Sequence, residues 1–230
     1  MKGFAFLILV LIWSITGILA QNKDYDRLFK YAKNTPKYKS KNIQSLSKYL
    51  IKGTKSKKEL AELIYYWISL NIDYDVVSFQ HNININVSAE NTFKNKKSVC
   101  AGYANLYKTL CDKVGLECNV INGYAKGYGY DSGIIFNVNH SWNVVKIKNK
   151  WELIDATWGA GYVEMQNDSL VFIRELNLRY LFDNPEDFIL DHFPEDPKWQ
   201  LLKKRITIED YNSHEMEVKR LNRMIIKINE

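Results

Sequence analysis

Three side chains in this sequence have types and spacing suited to covalent chemistry: Cys100, His140 and Asp155. A thiol becomes a good nucleophile when it is held as thiolate. Cys100 stands where the basic stretch "KNKKSV" gives way to the amphipathic run "CAGYANLYKTLCDKVG". A helix starting there would turn its positive end toward the sulfur. His140, 40 residues on, heads the stretch "HSWNVVKI" and is a base able to take the thiol proton. Asp155, 15 residues further in "WELIDATW", could orient the imidazole by accepting its other N–H. If the two stretches form a hairpin around Lys148-Asn149-Lys150, positions 140 and 155 approach each other diagonally. The residue types alone leave alternatives open. Cys100 could be half of a disulfide or a small buried side chain, His140 a core or surface group, and Asp155 a turn cap. Trp142, on the same strand face as His140, either walls the imidazole from water or simply packs in the core. His81, His192 and His214 have no comparable setting.

The elements that must position these residues can be read from periodicity. Residues 24–33 and 42–51 read as short helices, the second closed by Gly53. Ser56 and Glu59 form a capping-box pattern that opens a third helix. Leu60, Leu63, Ile64, Trp67 and Ile68 make its apolar stripe, so Trp67 reads as core. Asn71 ends that helix and "IDYD" follows as an extended piece. In the helix beginning at Cys100, Tyr103, Leu106, Tyr107, Leu110, Cys111 and Val114 share the apolar face, and Gly115 is the stop signal. The period then changes to two. "CNVINGYAKG", "HSWNVVKI" and "WELIDATW" read as strands, the last two as a hairpin. Residues 127–137, rich in glycine and aromatics, read as a loop near a groove. "RYLFDNPEDFILDHFPEDPKWQLL" reads as proline-punctuated turns with aromatic anchors that wrap the core, and 213–230 is a charged tail with a weak apolar stripe. Helices first, then a Cys-bearing helix, then antiparallel strands: the order predicts an α+β fold.

Composition bounds the rest. The chain has 230 residues and a formal net charge of +6. Its first twenty residues, a single lysine and a long apolar run ending at Ala20, have the layout of a signal peptide. The expectation is an exported chain, periplasmic, cell-surface or secreted, with 21–230 forming one domain and no stable membrane span after cleavage. The lysines fall in short scattered groups without aromatic interleaving, which excludes a nucleic-acid signature. Three cysteines leave at least one thiol unpaired, and Cys111 and Cys118 read as buried fillers rather than a disulfide. No calcium-loop pattern of the EF-hand type is present, and no metal or cofactor is expected.

"KSVCAGYANLYKTLCDKVGL", "NGYAKGYGY", "NHSWNVVKIKNKWELIDATWGAGY" and "FDNPEDFILDHFPEDPKWQLL", in that order, resemble the transglutaminase-like superfamily, and more narrowly its kyphoscoliosis peptidase and hillarin branch. The resemblance runs from about residue 56 to about 202, with 21–55 as a helical lead-in and 203–230 as a tail. It implies a papain-like cysteine-protease fold, with the Cys helix packed on an antiparallel sheet. It also implies that Cys100 is the nucleophile, His140 the base and Asp155 the acid, and it places Tyr74 beside the groove. The backbone N–H of Cys100 is the natural first oxyanion donor. Transglutaminases proper add a tryptophan side chain, a role that Trp67 in its apolar stripe does not inherit. The implied activity is thiol-dependent acyl chemistry on a peptide or protein substrate. It is a peptidase or amidase if water accepts the acyl group, and a cross-linking transglutaminase if an amine does. A non-catalytic scaffold on the same fold is the competing reading.

Overall fold

The computed structural model describes residues 26–130 and 137–228. The apolar leader and residues 131–136 of the glycine-rich loop therefore lie outside the described residues. In chain order the elements are a helix α1 over 26–33, α2 (Ile43–Lys52), α3 (Lys57–Asn71), β1 (Asp73–Tyr74), α4 (Val76–Gln80), α5 (Ala89–Asn95), β2 (Lys97–Ser98) and α6 (Cys100–Lys113). Then come β3 (Cys118–Ala125), β4 (His140–Ile147), β5 (Lys150–Ile154), α7 (Ala156–Ala160), β6 (Gly161–Gln166) and β7 (Ser169–Arg174). The chain continues through β8 (Leu181–Asp183), α8 (Pro185–Phe188), β9 (His192–Pro194), α9 (Ile208–Tyr211) and α10 (His214–Ile228). The expected α+β order holds, with α3 and α6 packed on one face of a five-stranded antiparallel sheet ordered β8-β5-β4-β3-β9.

The helix that carries Cys100 is fixed at both ends and along one face. At its C-terminus Gly115 takes φ +73°, a left-handed value that glycine adopts without a Cβ clash. Leu116 N–H then donates to Cys111 C=O (2.9 Å) and Gly115 N–H to Asp112 C=O (3.3 Å), the paired bonds of a Schellman stop. Leu106, Tyr107, Leu110 and Cys111 are fully buried against Val145 and Ile147 of β4 and Cys118 of β3. Each buried leucine contributes about 1.5–3 kcal/mol. Asn143 on β4 donates to Ala104 C=O at 3.0 Å, pinning helix to sheet. Tyr103 and Tyr107 hydroxyls donate to Ile72 C=O (2.6 Å) and Ala61 C=O (3.0 Å), tying α6 to the α3 layer. Gly102 is where α6 comes closest to its neighbours, because a Cβ there would overlap Ser98 Oγ and Thr92 Oγ1. The other face of β4 carries Trp142 and Val144 into a second cluster with Ile121, Leu153, Tyr180 and Phe188.

Several expectations are corrected. α3 is capped by Ser56, which accepts from Glu59 N–H, but the reciprocal half of the capping box is missing. The Glu59 carboxylate instead takes the Lys55 N–H at 2.8 Å and the Arg27 guanidinium of α1 at 2.7 Å. The stretch "WELIDATW" is not strand throughout: β5 ends at Ile154, and Asp155 caps α7 by accepting from Thr157 and Trp158 N–H. A five-residue helix is too short to show its period in sequence. The hairpin β6–β7 was not anticipated, although Asn167-Asp168 at φ +48° and +62° is a two-residue turn of the kind that closes hairpins. The stretch read as wrapping turns contributes two edge strands, β8 and β9, and the tail is the helix α10.

Candidate active site

The fold brings Cys100, His140 and Asp155 together at the start of α6. Cys100 is the first residue of the helix, and Val99 before it supplies no side-chain cap. No side chain screens the positive end of α6 beside the sulfur, and of the first-turn amides Gly102 N–H donates to Val99 C=O at 2.9 Å. His140 opens β4, paired to β3 at Gly123. The β4–β5 register sets Asn143 opposite Ile154, which puts Asp155 diagonally across from His140. His140 Nε2 lies 2.7 Å from Asp155 Oδ2. Nδ1 is then the nitrogen left to bond the Cys100 sulfur, which also accepts from the Ser141 backbone N–H.

The electrostatics follow from burial opposed by pairing. Burial alone would raise the Cys100 thiol. The His140 hydrogen bond and charge, with the Ser141 amide, bring it below its ordinary value. For His140, burial would favour the neutral ring, but the Asp155 charge and hydrogen bond, then Cys100, lift it to about 10. Asp155 is fully buried, which disfavours its charge. His140 first and His192 second hold it well below the usual carboxylate range. These opposed effects favour the charge-separated form, a thiolate and an imidazolium backed by a carboxylate.

Of the supporting residues expected from sequence, Trp142 stacks beside the His140 ring at 6.1 Å and 27°, and is buried in the second cluster as well. Tyr74 stands half-buried between Phe79 and Phe172 on the wall of the groove. Burial, then the negative charges of Cys100 and Asp155, push its phenol far above the usual range, so it remains a hydrogen-bond donor. Trp67 is buried and stacked on Phe93, as a core residue. All three cysteines are free, and Cys118 lies within hydrogen-bonding reach of Cys111 on the buried face of α6 rather than of Cys100.

Two site residues escaped the sequence reading. Trp158 on α7 lies 5.4 Å from the His140 ring and covers it from the groove side. His192, expected to have no comparable setting, is fully buried with Nε2 at 3.0 Å from Asp155 Oδ2 and Nδ1 at 2.8 Å from Asp191 Oδ1. The available signal was the motif "LDHF", an acid beside a histidine in an apolar frame. Ligand atoms of His140, Asp155 and His192 lie within 4.8 Å of one another, but hydrogen bonds alone satisfy them. A groove of about 670 Å³ opens beside His140, Tyr74 and Trp158. Its wall includes five exposed apolar side chains from five segments: Phe79, Tyr128, Tyr162, Leu178 and Met224. The cations that reach it are already paired, Lys126 and Arg220 with Glu217 and Arg179 with Asp191.

A cysteine held at a helix start against a histidine on an antiparallel sheet defines the papain-like class of cysteine-enzyme folds. Residues 44–156 match the transglutaminase-like superfamily, so the chain carries a domain of that family. It is 32% identical over 173 residues to the kyphoscoliosis peptidase of Mus musculus, covering 74% of this chain and 26% of that one. Hillarin of Drosophila melanogaster is 28% identical over 204 residues, covering 83% and 24%. The chain spans about a quarter of the length of these curated relatives. A solved structure of a candidate cysteine protease from Cytophaga hutchinsonii is 23% identical, with a TM-score of 0.42 over 59% of this chain and 42% of that one.

Proposed function

We propose that this chain is an exported thiol-dependent enzyme acting on peptide or amide bonds through Cys100, His140 and Asp155. The observation that carries the reading is the alignment of Cys100, His140 and Asp155 at an uncapped helix start, with His140 Nε2 2.7 Å from the carboxylate. The Cys100 thiolate attacks the substrate carbonyl and forms a C–S bond, while the carbonyl electrons move onto oxygen. The Cys100 N–H faces that developing oxyanion. The imidazolium of His140 gives its proton to the leaving nitrogen as the C–N bond breaks, leaving a thioester and a neutral imidazole. His140 then takes a proton from water, the hydroxyl adds to the thioester, and collapse expels Cys100 as thiolate. Asp155 keeps the imidazole in the tautomer that both steps need.

The open groove with its apolar rim and internally paired cations suits an extended, neutral polypeptide segment, so peptidase is the reading adopted. If a lysine amine enters in place of water, the same thioester yields an isopeptide cross-link. Export rests on the sequence of residues 1–20. The test is iodoacetamide labelling of Cys100 at neutral pH, followed by incubation with peptides with and without a primary amine. Labelling and cleavage that both disappear in Cys100→Ala are expected. A Cys100→Ala protein that still cleaves overturns the reading, and amine incorporation in place of cleavage replaces peptidase with transferase.

A further inference from the structure

Behind the three residues lies a second layer of charges that the chemistry above does not use. The His192 ring has a carboxylate at each nitrogen: Asp155 Oδ2 at 3.0 Å from Nε2 and Asp191 Oδ1 at 2.8 Å from Nδ1. Neither carboxylate has a proton to give. Asp191 Oδ2 is held by Arg179 Nη2 at 2.6 Å and faces the Tyr180 hydroxyl at 3.4 Å. Asp155 Oδ1 accepts the Thr157 and Trp158 N–H groups at 2.8 and 3.1 Å, and its Oδ2 accepts from His140 as well. An ionised carboxylate only accepts, so each His192 nitrogen must carry the hydrogen it donates. The ring is fully buried and stacked on Phe188 at 4.1 Å. Trp158 at 4.3 Å and Trp142 at 5.2 Å complete its walls.

We infer that His192 is a positioning residue which holds Asp155 Oδ2 on His140 and, by its positive charge, limits how tightly His140 keeps its proton. The inference rests on the thiol-enzyme reading for its importance, but not for its geometry. From Cys100 through His140, Asp155, His192 and Asp191 to Arg179 the charges alternate in sign, so each group is flanked by opposite charge. The other charged groups acting on this array include Arg220 and Arg223 of α10, Lys126 just after β3 and Asp183 of β8. With Oδ1 fixed by two amides and Oδ2 by two imidazoles, the carboxylate has no freedom to turn. A cation sharing Oδ2 also competes with His140 for its charge. That competition keeps the imidazolium acidic enough to deliver its proton to a leaving amine.

His192→Gln tests this, because a glutamine amide can still donate to Asp155 but carries no charge. The readout is the pH dependence of Cys100 alkylation by iodoacetamide, which requires no substrate. Removing the cation should move the alkaline step, where His140 loses its proton, to higher pH by about one unit, roughly a tenfold change in proton affinity. His192→Phe fills the same aromatic cage without any donor and should lower peptide cleavage about 10–100-fold through loss of orientation. In the wild-type protein, ¹⁵N shifts of both His192 ring nitrogens should lie at protonated values at neutral pH. An unmoved alkaline step in a normally folded His192→Gln protein overturns the inference, as does one unprotonated ring nitrogen in the wild type. Persistent cleavage by Cys100→Ala would instead sink the enzyme reading and leave the His192 measurements, taken at the thiol and the ring, standing.

Discussion

Replacing Asp155 by asparagine separates the two jobs this carboxylate performs. The Thr157 and Trp158 amides donate to Oδ1, and an asparagine carbonyl can accept both, so the cap of α7 survives. The opposite oxygen, which faces His140 at 2.7 Å and His192 at 3.0 Å, becomes an NH2 group. Two imidazole N–H donors then confront a donor. His140 must turn into the tautomer with a bare Nε2, which leaves its Nδ1 protonated and unable to take the Cys100 proton. The thiol returns toward its ordinary acidity, at which only about 3% is thiolate at pH 7. Reactive thiolate is lost, by at most about thirtyfold. Because a thiolate of higher pKa is intrinsically more nucleophilic, alkylation should fall by up to roughly tenfold. Peptide cleavage, which also needs the proton returned to the leaving group, should fall by on the order of 10²–10⁴-fold. The stability cost of the mismatched donors is about 1–3 kcal/mol, read by thermal melting. Alkylation of Asp155→Asn at the wild-type rate at pH 7 would refute the argument that this carboxylate sustains the ion pair.

Linkage gives a signed prediction for Cys100→Ala. His140 is raised from 6.5 to about 10, so its contribution to stability is full below pH 6.5 and is lost as pH rises toward 10. Cys100 is lowered, so its contribution is present above the ordinary thiol value and lost as pH falls. Just below pH 9 the two oppose, and the wild type should be nearly flat. Cys100→Ala should lose stability with rising pH at up to about 1.4 kcal/mol per unit, measured by urea unfolding, and an equally flat variant would contradict the ion pair. Gly102→Ala forces a methyl onto Ser98 Oγ and Thr92 Oγ1 and should cost about 1–3 kcal/mol with a lowered Tm. An unchanged Tm would mean that α6 is less closely seated on α5 and β2 than described.

The parts of this molecule legible in sequence were those with local, periodic causes. The α6 face, its Gly115 stop and the β4–β5 hairpin each follow from spacing within about fifteen residues, and they suffice to bring His140 and Asp155 into reach. Cys100 at the helix start was legible for the same reason. His192 was not, because its setting is made by β9, three residues long, joining the sheet edge so that Ala125 pairs with His192. The local motif "LDHF" sets an acid beside the histidine, but nothing in it announces the contact with Asp155, 37 residues earlier. Asp155 shows the opposite failure. Its side chain was placed correctly beside His140, while its backbone was read as strand because α7 is too brief to display a period.

Val99 also sets a balance between durability and reactivity. A serine or aspartate at a helix N-cap typically adds about 1 kcal/mol of stability, and this chain forgoes it at α6 alone among its helices of ten or more residues with a described N-cap. A capping side chain there would take the Ala101 or Gly102 N–H and weaken the positive potential beside the sulfur. The opportunity to harden the protein thus coincides with the place where hardening would lower the potential at the sulfur.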